Sequence, residues 1–322
     1  MRFLFCLALT IGLPLLAQKP DNVLKPDDGP ALFSSDTHLV VLHATVFDKN
    51  SHLVTNLPQS AFEVYENGKL QQLKVFKQED VPVSLGLIID NSGSMRDKRQ
   101  KVESAALALV KDSNPEDEVF IVNFNDEAYL DQDFTSDIKQ MQQGLTKIDS
   151  RGGTAMRDAI RMSIDHLREK GKKDKKVLLV VTDGNDNASI INLENLVQAS
   201  QQADSETAIY CIGLLSEEER REANRAKRAL VSLAEATGGL AFFPKDASEV
   251  DRIAHQVAHD LRSQYTIGYS SSNTQMDGGF RTVKVIVNGP NHPTVRTRSG
   301  YYAAKPDTGG KAGGKAVGKD TK

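Results

Sequence analysis

Two aspartates, two serines and a threonine carry the densest hard-oxygen chemistry in this sequence. The apolar run Val83-Ser84-Leu85-Gly86-Leu87-Ile88-Ile89 ends in Asp90-Asn91-Ser92-Gly93-Ser94-Met95. Ligands of open α/β sheets bind at the carboxyl ends of strands, so a carboxylate at 90 and hydroxyls at 92 and 94 converge on a binding edge. Two further segments reach the same edge. Gly152-Gly153-Thr154 opens a helical stretch with another hydroxyl, and the apolar run at 177–181 leads into Thr182-Asp183-Gly184. Asp90, Ser92, Ser94, Thr154 and Asp183 thus offer oxygen side chains from three loops. An all-oxygen set suits Mg2+, with Mn2+ able to stand in its place.

These loops need a scaffold, and the chain alternates in the way that supplies one. Apolar runs at 83–89, 119–124, 177–181, 208–214 and 240–243 read as strands. Helical stretches lie at 98–110, 138–148, 155–170, 193–203, 217–236 and 247–263. This βαβ rhythm predicts a doubly wound, mostly parallel sheet with helices on both faces, over 81–264. Upstream, strand signals at 38–47, 62–65 and 70–76 surround the hairpin turn Glu66-Asn67-Gly68-Lys69. Downstream, short strands at 265–269, 280–287 and 295–298 are separated by Gly, Asn, Pro and Ser. Either β piece alone would be marginal, so the α/β unit is expected to be inserted in a β-sandwich built from both chain ends, 37–80 and 265–302, with two separate small β modules as the alternative.

The extremities read differently. Arg2 precedes an apolar stretch that closes on Ala17 and Gln18, the pattern of a signal peptide over 1–17. Residues 18–36 read as a flexible leader, and 303–322, built from Gly, Lys, Ala and Asp, as a disordered tail. The expected location is outside the cell or in its envelope, with no integral membrane segment after cleavage. Cys6 departs with the signal, leaving Cys211 in an apolar strand as an inert thiol with no disulfide framework. Forty basic against 43 acidic residues give a net charge of -3, which removes the electrostatic argument for nucleic acid as a partner. His255 and His259 stand four apart on a predicted helix, but Gln256 takes the place of the glutamate a zinc protease motif requires, so packed or solvated histidines are expected.

Asp90-x-Ser92-x-Ser94, Gly153-Thr154 and Thr182-Asp183-Gly184 together resemble the metal-ion-dependent adhesion site of von Willebrand factor type A domains, in the family's order. The resemblance implies that Ser92, Ser94 and Thr154 are hydroxyl ligands. Asp90 and Asp183 would be the charged pair, acting directly or through water, with one position left for a partner's carboxylate. The flanks, Leu57 and Phe62 with Val64-Tyr65-Glu66-Asn67-Gly68-Lys69, and Tyr265-Thr266-Ile267-Gly268-Tyr269 with Arg296, Arg298 and Gly300-Tyr301-Tyr302, resemble the secreted bacterial von Willebrand factor A-related acidobacterial subgroup.

Two function classes follow, with a third beside them. The first is a secreted or envelope protein-binding module, not an enzyme, that engages an acidic side chain of a protein partner through Mg2+. The second is a Mg2+-dependent phosphotransferase-like enzyme with Asp90 as nucleophile, which wants a second carboxylate where Ser92 stands. The third, a purely structural envelope protein, leaves the oxygen cluster without a role. Ser92 or Ser94 could also simply cap the helix that follows.

Overall fold

The computed structural model describes residues 39–305 apart from 79, 113, 146–149, 204, 216–219 and 291. The expected signal peptide and leader, and the tail from 306 onward, lie outside the described residues.

The chain enters through four strands: β1 (Leu39–Phe47), β2 (Phe62–Glu66), β3 (Lys69–Gln71) and β4 (Leu73–Gln78). Asn67 and Gly68 both take positive φ, 48° and 78°, the mirror-image turn that the twist of a two-residue hairpin demands. An α/β unit follows, with β5 (Val83–Asp90), α1 (Arg99–Lys111), β6 (Glu118–Phe124), β7 (Ala128–Thr135), α2 (Ile138–Leu145) and α3 (Met156–Lys170). It continues through β8 (Lys175–Thr182), α4 (Leu193–Ser200), β9 (Thr207–Gly213), α5 (Arg220–Thr237), β10 (Ala241–Phe242) and α6 (Val250–Arg262). The chain then returns to β structure in β11 (Tyr265–Ser270), β12 (Phe280–Val287), β13 (Thr294–Arg296) and β14 (Gly300–Tyr302).

The central sheet runs β10-β9-β8-β5-β6-β7, parallel except for β7, which lies antiparallel on β6. Every residue of β5 is buried, as expected of a strand covered on both faces. Leu85, Leu87 and Ile89 share one core with α1, α2 and α6, while Ile88 lies in the core formed with α3, α4 and α5. Gly86 lets the sheet close on that second side, since a methyl there would lie 2.4 Å from the Phe120 ring and 2.6 Å from Leu178.

Strands from both chain ends interleave in two antiparallel sheets, β13-β1-β11-β4 and β14-β12-β2-β3. Their inner faces meet in a single core that includes Leu42, Phe62, Val64, Tyr265, Ile267 and Val285. The fold is therefore the doubly wound sheet with antiparallel sheets from the termini that the sequence implies. Strand β7 departs from the reading, which had no strand at 128–135. Its mixed burial and its two register shifts against β6 explain why no two-residue rhythm is visible there.

Candidate functional site

Asp90 is the last residue of β5 and is fully buried. One carboxylate oxygen accepts the Ser92 backbone N–H at 2.8 Å, and the other accepts the Thr182 hydroxyl at 2.5 Å. Burial pushes its pKa up to about 6, against the hydrogen bonds from Thr182 and Ser92, and the Asp183 charge adds to the rise. Residues 93–95 form a single 3-10 turn whose buried Met95 anchors the loop in the core. Ser92 precedes that turn but its side chain makes no capping bond. Its Oγ lies instead 3.2 Å from Ser94 Oγ, and Ser94 Oγ donates to Asp183 Oδ1 at 2.8 Å. The helix-capping reading of these serines therefore gives way to a connected oxygen cluster.

Thr154 reaches the same edge by a separate route. Gly152 takes φ +76° and Gly153 N–H donates to Asp126 Oδ1 at 2.7 Å, which turns the chain into α3. Asn187 Oδ1 accepts the Thr154 N–H at 2.9 Å, and Thr154 carbonyl accepts from Asn187 and Ala188 at 3.1 and 3.2 Å. A methyl on Gly184 would sit 3.7 Å from Thr154 Oγ1, so this hydroxyl stands against the turn that follows Asp183. Gly93 N–H, donating to Gly152 carbonyl at 3.4 Å, and Arg151 N–H, donating to Asn91 carbonyl at 2.9 Å, tie the first two loops together.

The structure thus gathers Asp90, Ser92, Ser94 and Asp183 in one hydrogen-bonded chain, with Thr154 alongside. Three partners escaped the sequence reading. Thr182 fixes Asp90, and only its place beside Asp183 could have flagged it. Asn187 orients the Thr154 backbone, and no spacing rule points to it. Lys98 pairs through Nζ with Asp183 Oδ2, across 85 residues of sequence. Among the described residues no group of three or more His, Cys, Asp and Glu is placed to hold a metal ion. Any ion here would depend on hydroxyls as much as on the two carboxylates, a donor set that matches a hard divalent cation.

Asp90 is not placed as an accessible nucleophile. Asp90 has no exposed surface, and both of its oxygens are already engaged. Elsewhere, His255 pairs with Asp112 and stands 3.6 Å from Asp251. Cys211 is buried in β9, and burial pushes its thiol up to about 12.

Residues 85–185 match the family model of the von Willebrand factor type A domain, a span that opens in β5 and closes just past Asp183. This chain carries a von Willebrand factor type A domain. The five candidate oxygens all belong to the matched span. Among curated proteins the chain is similar to inter-alpha-trypsin inhibitor heavy chain H4 of Bos taurus, 23% identical over 146 residues, covering 41% of this chain. A similar match to inter alpha-trypsin inhibitor, heavy chain 4 of Mus musculus is 23% identical over 156 residues, covering 43% of this chain. The match spans 16% of the length of each of these relatives. Among solved structures, a von Willebrand factor type A protein from Catenulispora acidiphila superposes with a TM-score of 0.49 at 14% identity, covering 86% of this chain and 76% of that one. The vWF domain of the type V pili tip protein Mfa5 from Porphyromonas gingivalis gives 0.46 at 14% identity, covering 56% and 97%. No helix among the described residues is long and apolar enough to cross a membrane.

Proposed function

We propose that the chain is a protein-binding module of adhesion type that holds Mg2+, or Mn2+, at the type A domain's oxygen cluster and uses it to engage an acidic side chain of a partner protein. The observation that carries this reading is the hydrogen-bonded chain Asp90, Ser92, Ser94, Asp183 at the carboxyl edge of β5 and β8, with Thr154 beside it. Ser92, Ser94 and Thr154 would supply neutral hydroxyls, and Asp90 and Asp183 the charge, directly or through water. A divalent ion with an open position there supplies an electrophilic point for a carboxylate. Asp90 is held by Thr182 and the Ser92 backbone, and Asn187 holds Thr154, so the protein's own hydrogen bonds orient these oxygens. The flanking-strand motifs and the apolar amino-terminal stretch favour a place outside the cell or in its envelope.

The test is capture on the immobilised full chain from envelope extract in Mg2+. Expected is a partner released by chelator but not by equivalent NaCl, absent on Asp183→Ala, and lost when the extract's carboxyl groups are first amidated. Capture indifferent to chelator and amidation would contradict the proposal. Mg2+-dependent hydrolysis of an aryl phosphate by wild type, abolished by Asp90→Asn, would favour the phosphotransferase reading instead.

A further inference from the structure

Lys98 pairs with one of the two carboxylates of the oxygen cluster. Its Nζ pairs with Asp183 Oδ2 while Ser94 Oγ donates to Oδ1 at 2.8 Å, so both oxygens of Asp183 are engaged. The Asp183 side chain is only 1% exposed, whereas that of Lys98 is 32% exposed. A nearly buried carboxylate without a counter-charge is costly, and a lysine at the rim is a ready source of one. The neighbouring cations are turned elsewhere. Arg96 donates to the Ser150 carbonyl at 3.3 Å, Arg99 to Glu103 at 2.6 Å, and Lys101 pairs with Asp246 at 3.5 Å. Lys98 is also carried by the loop that supplies Ser92 and Ser94, its own N–H donating to the Met95 carbonyl at 2.9 Å.

We infer that Lys98 is a tethered cation that holds Asp183 in the ion-free protein, and that a divalent ion binds by displacing it. The inference rests on the metal reading proposed above and adds the residue that sets its affinity. An ammonium and a divalent ion compete for the same carboxylate lone pairs, and at a few ångströms they repel each other. Lysine suits the part, since its charge is compact and its four-carbon stem flexible, so the head can swing into solvent while the stem stays in place. The oxygen cluster then keeps its shape without an ion, and ion affinity is set by a difference between two cations rather than by the ligands alone.

Calorimetric titration of the full chain with MgCl2 and with MnCl2, after chelator treatment and dialysis, tests this on wild type, Lys98→Met, Lys98→Arg and Lys101→Met. Lys98→Met should bind Mg2+ roughly tenfold more tightly, the scale of one charged hydrogen bond lost from the competing state. Its ion-free form should melt lower than wild type, and its Mg2+-induced rise should be larger. Lys98→Arg keeps the charge and should stay within a factor of about three of wild type. Lys101→Met removes the same charge three residues further on, in the first turn of α1, without touching Asp183, and should leave affinity unchanged. Should Lys98→Met fold poorly, Lys98→Gln carries the same expectation. Wild type that binds Mg2+ with Lys98→Met equal or weaker would overturn the role of Lys98 and leave the metal site standing, as would equal tightening by Lys101→Met. Absence of binding in both wild type and Lys98→Met would remove the metal reading and this inference together.

Discussion

Asp90, fully buried, and His43, half-buried, are both titratable residues, and both show how desolvation decides the charge a residue keeps. His43, in β1, is held far below the usual imidazole range, at about 3, by burial first and then by the nearby charges of Lys175 and Arg298. Thr266 Oγ1 lies 3.4 Å from its Nδ1. The folded state therefore keeps His43 neutral while the unfolded chain, with a pKa near 6.5, takes up a proton. The native state loses stability as pH falls from about 6.5 toward 3, and keeps the full contribution above 6.5. Between pH 6.5 and 4.5 the loss from this one residue should be about 2 kcal/mol. Urea unfolding of wild type and His43→Gln at the two pH values checks it: the difference between the proteins should shrink or reverse at pH 4.5, and parallel pH profiles would contradict it. At this scale the five oxygen residues were legible because motif order is written in sequence. Lys98 and Thr182 were not, since their roles depend on contacts 85 and 92 residues away.

Strands β5, β6 and β8 hold the site from within a sheet covered on both faces, and Gly86 is a point where that packing leaves no room for a side chain. Gly86→Ala should cost about 1–3 kcal/mol by overpacking against Phe120 and Leu178, read as a lower urea midpoint with unchanged slope. A neutral result would mean that these side chains yield without strain. The βαβ alternation was readable because continuous apolar runs and helical periods differ in kind. Strand β7 was not, because Ala128–Thr135 carries Asp131 and Asp133 at an edge where only part of each face is covered. The helix expected over 247–263 resolves into a 3-10 turn at Ala247–Glu249 followed by α6, with Asp246 accepting from Ser248 N–H at 2.7 Å at its entry.

Across the whole described molecule the α/β unit and the antiparallel sheets are fastened where α6 runs into β11 through Ser263 and Gln264. Gln264 is buried and donates to Thr45 Oγ1 at 3.0 Å and to the Tyr210 hydroxyl at 3.3 Å. Lys175 Nζ donates to the Leu261 carbonyl, and Arg296 pairs with Asp260 at 3.1 Å while its guanidinium lies 4.9 Å from the Phe47 ring centroid. A junction this short was visible in the sequence, but its polar fastening was not, because Thr45, Tyr210, Asp260 and Arg296 belong to four separate segments. Arg296→Met leaves Asp260 buried and unpaired and should cost about 3 kcal/mol, part of it recovered by adding Asp260→Asn. Urea unfolding followed by probes in each part should give one coincident transition in wild type, and two separate transitions would show that the junction does not couple them. The central claim is that the oxygen cluster binds a divalent ion, and the most direct measurement is thermal unfolding of the full chain in Mg2+ and in chelator, for wild type and Asp183→Ala. An ion that binds only the native state adds about 2.7 kcal/mol at a hundred times its Kd, so wild type should melt higher in Mg2+ and Asp183→Ala should not respond. A wild-type melt indifferent to both Mg2+ and chelator, or an equal rise in Asp183→Ala, would contradict it.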